Sequence, residues 1–172
     1  MRDLGQLGES TFAMWCAQVG LVANNSAIDK TGWDYYVEFP ISSNITTHEL
    51  HKSAFECKVQ VKATDKQDRK LPVTISNLRR MATLQMPAFY IFLEFDGKNE
   101  VQNAFVLHID NEWIYKILKR VHKIEQSENN KDLNKRTITL TYSEQQRIEK
   151  LDGENLKQTL LKYIGENYSD YI

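Results

Sequence analysis

Within the first 62 residues stand four side chains, Glu9, Asp34, Gln60 and Lys62, whose types and spacing suit phosphodiester chemistry. Two carboxylates and an amide carbonyl are hard oxygen donors of the kind Mg²⁺ takes, with waters and substrate phosphate oxygens completing its shell. Asp34, Glu9 and Gln60 are therefore the candidate metal ligands, with Mn²⁺ as the expected substitute ion. Lys62 follows Gln60 at a spacing of two, which on an extended strand puts both side chains on one face. Its ammonium would stabilise charge on an attacked phosphate or orient the attacking water. A literal acid-x-Lys triplet, Glu56-Cys57-Lys58, stands one pair earlier on the same face. Lys62 is preferred because it falls at the strand's end, beside a charged loop where a substrate can approach. Glu56 would then support the site from deeper in the sheet.

The positioning elements follow from periodicity. Leu4, Leu7, Phe12, Trp15, Cys16 and Val19 recur at helical spacing, with Gly20 as the stop and Glu9 at the edge of the apolar stripe. Leu21 to Ile28 has room for a short strand, and Asp29 to Gly32 reads as a turn. Trp33 to Phe39 is a strand by its aromatic and β-branched content, with Asp34 at its start and Pro40 closing it. Residues 41–53 are polar and predict a loop. From Phe55 to Lys62 apolar and polar residues alternate strictly, predicting one face in a core and one facing outward.

Further on, Leu71 to Ile75 predicts an extended piece and Ser76 a helix N-cap, with Leu78, Met81, Ala82 and Gln85 at helical spacing before Pro87. Ala88 to Leu93 is a nearly unbroken apolar run, the mark of a strand buried on both faces. Asp96-Gly97 predicts a turn and Ala104 to Ile109 the next strand. Asp110 caps a helix with Trp113, Ile114, Ile117, Leu118 and Val121 on one face. A polar loop at 125–135, a strand at Thr137 to Tyr142 and a helix from Glu154 to Ile164 complete the chain. This order predicts an α/β (α+β) fold, one central mixed sheet flanked by helices.

The set resembles the restriction-endonuclease-like PD-(D/E)XK nuclease superfamily. Gly32-Trp33-Asp34 stands for the family's aspartate motif, Gln60-Val61-Lys62 for its acid-x-Lys triplet, and Glu9 for the glutamate many members carry on their first helix. The resemblance covers about residues 4–95 and implies a core of helix, three strands, helix and strand, with 100–172 as peripheral additions. It departs from the pattern at Trp33, where the family has proline, and at Gln60, where it has an acid. The glutamine form is familiar in nuclease domains of bacterial restriction and anti-phage defence systems and in some recombination nucleases. The resemblance therefore implies a Mg²⁺-dependent DNA endonuclease in defence, restriction or DNA processing. The competing expectation is a catalytically inactive module that keeps the fold and binds nucleic acid or protein.

A chain of 172 residues supports one domain with a sizeable core. Its net charge of −1 does not advertise nucleic-acid binding, so a DNA partner must be met by clustered cations. Lys66, Arg69, Lys70, Arg79 and Arg80 follow the triplet closely and are the candidate backbone grip, while Lys116, Lys119, Arg120 and Lys123 read as a solvated helix face. His48, His51, His108 and His122 have no metal-site spacing. Cys16 and Cys57 at apolar-face positions predict buried thiols in a reducing compartment. With no run like a signal peptide and none of membrane-spanning length, the expectation is a cytoplasmic protein without a membrane partner. A homodimer, or a place in a larger defence assembly, is compatible with either function.

Overall fold

The computed structural model describes residues 1–25, 34–40, 55–127 and 135–167, with side chains up to Gly165. Trp33, His48, His51, the turn at Asp29 to Gly32 and the loop at 41–53 lie outside the described residues. Five strands form a mixed sheet in the order β1-β2-β3-β5-β6, comprising Val22–Asn25, Tyr35–Glu38, Glu56–Thr64, Ala88–Glu94 and Asn103–His108. All neighbours are antiparallel except β3 and β5, which run parallel. The fold is α+β.

Helices cover both faces of this sheet. On one, α1 (Leu4–Gln18) and α4 (Gly153–Asn167) enclose a core of Phe12, Trp15, Val59, Val61, Phe89, Ile91, Leu156 and Leu160. On the other, α2 (Ile75–Ala82) and α3 (Asn111–Gln126) enclose Leu78, Met81, Tyr90, Phe92, Phe105, Ile117 and Val121. The double covering explains β5, where all seven residues are buried. It also corrects the reading of β3. Its polar face is only partly open: Glu56, Lys58 and Lys62 are half-buried, and Gln60, under the second helix layer, is only 8% exposed.

Local chemistry sets the helix ends. Asp3 caps α1 by accepting from the N–H of Gln6, and Gly20 follows the helix at φ 71°, a left-handed conformation that suits glycine. The cap of α2 is Thr74, not Ser76: its hydroxyl accepts from the N–H of Asn77, so the helix begins two residues early and ends at Ala82. Asp110 caps α3 as predicted, but Leu118 is 40% exposed, because the apolar stripe narrows to Ile117, Val121 and Ile124. The same helix runs to Gln126, past the predicted start of the polar loop.

The expected single sheet is two. β7 (Thr137–Thr141) does not join the central sheet but pairs antiparallel with β4 (Lys70–Thr74) in a separate ribbon beside α2. Strand periodicity identifies a strand's faces but not its partner, and β4, a short piece containing Pro72, has no pattern that announces an edge to be filled.

Candidate active site

The site begins where a strand stops. β2 and β3 pair from Glu38↔Glu56 to Tyr35↔Val59, and Asp34 is the residue at which β2 leaves its neighbour. The Asp34 N–H still donates to the Val59 carbonyl at 2.9 Å. Its side chain then takes over from the ladder: Oδ2 accepts from the N–H of Val61 at 2.7 Å. Aspartate is a poor strand residue on propensity. It stands here because its carboxylate supplies the acceptor the departing strand no longer offers. The carboxylate is thereby held on the residue between Gln60 and Lys62.

Gln60 and Lys62 share a face with their register partners in β5, Tyr90 and Phe92. Lys62, half-buried, lines a cavity of about 190 Å³ with Leu71, Pro72, Val73, Thr74 and Asn77, so β4 and the start of α2 form its wall. The Tyr90 hydroxyl donates to Asn77 Oδ1 at 2.5 Å. Burial, and then the negative charge of Asp34, pushes that hydroxyl's pKa upward, keeping it a neutral donor. The field of Asp34 thus reaches into the face that carries Gln60 and Lys62.

Glu9 arrives from the other side of the sheet. α1 lies close on β3 because Gly8 has no side chain; a Cβ there would sit 2.8 Å from that of Ala63. Beside it, the half-buried Glu9 accepts the Tyr35 hydroxyl on its backbone carbonyl at 3.3 Å. The Tyr35 pKa is pushed up to about 12, first by burial and then by the charges of Glu9 and Asp34. Two carboxylates from two elements act on one side chain.

The earlier triplet is occupied differently. Glu56 accepts the hydroxyl of Tyr36, and the Lys58 ammonium lies 4.5 Å from the centre of the same ring. Burial lowers the Lys58 pKa, opposed by the charge of Glu56. The Asp34 carboxylate meets the strand at Val61, between Gln60 and Lys62, not within the Glu56-Lys58 triplet.

The candidate cations separate into groups. Lys66 and Lys70 are exposed. Arg69 is held by Glu144 at 2.8 Å and by the buried Glu94 at 3.6 Å. Arg79 lies 3.6 Å from Glu125 of α3, and Arg80 is exposed. At about 100° per residue, Lys116, Arg120 and Lys123 fall on the flank of α3 opposite Glu125, turned away from α2. They are not part of this site. Tyr90 and Asn77 were missed in the sequence. The available signal was a hydroxyl inside a strand buried on both faces, which needs a hydrogen-bond partner.

Among the described residues no three His, Cys, Asp or Glu side chains cluster as a metal cage. Mg²⁺ keeps several waters and binds through one or two carboxylates. Asp34, Glu9 and Gln60 carry oxygen donors of that chemistry, and of the three Asp34 is fixed by its bond to the β3 backbone. The chain matches no protein-family model, and no curated protein matches its sequence.

Proposed function

We propose that the protein is a Mg²⁺-dependent nuclease that hydrolyses phosphodiester bonds of DNA, in bacterial defence, restriction or DNA processing. The observation that carries this reading is the bond from Asp34 Oδ2 to the Val61 N–H at 2.7 Å, which sets a carboxylate beside a Gln-x-Lys pair. Asp34, Glu9 and Gln60 would hold the ion, which when bound would supply Lewis-acid polarisation of the phosphate. Asp34 keeps its direction because one oxygen is tied to the β3 backbone. Lys62, in the cavity walled by β4 and α2, presents its ammonium to the charge that develops on the phosphate oxygens. Tyr90 and Asn77 fix the floor beside them.

Plasmid incubated with the protein and Mg²⁺ is nicked or linearised, and chelation stops the reaction. Asp34→Ala and Lys62→Met each lower the rate by about a hundredfold or more, the usual effect of losing one transition-state contact. Lys58→Met retains most activity, since that lysine stands four residues, about 13 Å, back along the strand from Lys62. Loss with Lys58→Met alone would move the site to Glu56 and Lys58. Equal activity in all three variants would sink the assignment and favour a non-catalytic binding module.

A further inference from the structure

Beside the Lys62 cavity, α2 carries a second concavity, a cleft of about 300 Å³ lined by Ser76, Arg79, Arg80 and Thr83. These four recur at the helical spacing of the exposed face, opposite the buried Ile75, Leu78, Met81 and Ala82. The linings of the two concavities are adjacent in sequence at the start of the helix. Thr74 and Asn77 line the cavity with Lys62, while the Ser76 hydroxyl donates to Thr74 Oγ1 at 3.3 Å.

Helical geometry distinguishes the two arginines. With Ser76 at the centre of the exposed face, Arg80 falls about 40° to the side of Asn77 and the Lys62 cavity, and Arg79 about 60° to the other side. The ion pair agrees: Arg79 Nη1 lies 3.6 Å from Glu125 Oε1 on α3, so it faces the neighbouring helix. Arg80 has no carboxylate partner among the described residues. From Asn77 to Arg80 the helix rises about 4.5 Å, so Arg80 stands one turn along α2 from the wall of the Lys62 cavity.

We propose that Arg80, in the cleft it lines with Ser76 and Thr83, grips the backbone phosphate next to the one at Lys62, so that the cut strand runs along α2. Arg79 takes no part; it ties α2 to α3. This rests on the nuclease reading and adds to it the path of the substrate strand. The guanidinium meets phosphate oxygens through charge-assisted hydrogen bonds, which lysine reproduces only as a point charge.

The test is fluorescence anisotropy of a labelled DNA duplex with the full chain in Ca²⁺, titrated at several salt concentrations, alongside cleavage in Mg²⁺. Arg80→Ala is expected to weaken binding about tenfold and to reduce the salt slope by about one, because one phosphate contact is lost. Arg80→Lys recovers most of the affinity, and Arg79→Ala binds as the native protein does. Both arginines are exposed, and circular dichroism verifies that each variant is folded. Native affinity and slope in Arg80→Ala, or equal losses in both alanine variants, would overturn the proposal, and cleavage by the native protein would then leave the nuclease reading standing. Arg80-dependent binding without cleavage would do the reverse. A native protein that binds no duplex would overturn both.

Discussion

His108 is buried at the end of β6, its ring 5.0 Å from that of Phe89 and 5.5 Å from that of Tyr163. Burial lowers its pKa below the ordinary 6.5, and the nearby Asp110 charge only partly opposes this. The unfolded chain therefore binds the proton more readily than the folded one. The resulting stability is fully present above about pH 6.5 and is lost as pH falls from there through the depressed folded value. Urea midpoints measured from pH 8 to 5 should decline below 6.5, and His108→Leu should flatten that decline. An unchanged profile in the variant would show that other groups set it. The thiols give a simpler case. Cys16 is pushed up to about 12 by burial and Cys57 upward by the same cause, so neither is a nucleophile at neutral pH.

At the scale of elements, the close approach of helices rests on glycine. Gly153 opens α4 against the C-terminal half of α1, donating its N–H to Gln18 Oε1 at 2.9 Å. A Cβ at this position would lie 2.2 Å from the Trp15 carbonyl oxygen. That neighbour is backbone inside a helix and cannot swing aside. Gly153→Ala should therefore separate α4 from α1 and cost about 1–3 kcal/mol, in spite of alanine's better helix propensity. For a chain of this size that is a fall of roughly 3–10 °C in Tm, measured by calorimetry. A rise in Tm would mean that the interface relaxes freely. Gly8 makes the equivalent approach of α1 to β3, where a Cβ would sit 2.8 Å from that of Ala63.

Across the whole molecule one polar network joins parts distant in sequence. Glu94, fully buried on β5, accepts from the Tyr142 hydroxyl at 3.0 Å and from Asn103 Nδ2 at 3.3 Å, with Arg69 at 3.6 Å. Arg69 and Arg147 share Glu144 and lie 4.7 and 5.0 Å from the centre of the Phe105 ring. The network pins the β3–β4 connection and the end of β7 to the central sheet, and so holds the ribbon that walls the Lys62 cavity. Removing one member of a buried charge pair costs about 3–5 kcal/mol. Arg69 keeps some contact with water, which favours the lower end, so Glu94→Leu should cost about 3 kcal/mol in urea unfolding. The double variant Glu94→Leu/Arg69→Met should recover part of it. A single-variant loss below about 1 kcal/mol would show that the ribbon is held by apolar packing instead.

Strict alternation from Phe55 to Lys62 determined by itself that Gln60 and Lys62 share a face, because successive strand residues point to opposite sides. The apolar run at Ala88 to Leu93 likewise determined a strand covered twice, and Asp110 determined where α3 begins, since a cap acts within one turn. These are local effects, and local effects are written in neighbouring residues. The Lys62 cavity and the covering of Gln60 depend on α2, α3 and a ribbon whose second strand starts at Thr137. So too with Asp34, an unfavourable strand residue in the sequence until the Val61 N–H, 27 positions away, becomes its partner. Periodicity specifies which way a side chain points. What it meets there is decided only when distant segments pack, because contacts over such separations leave no repeating signal in the chain.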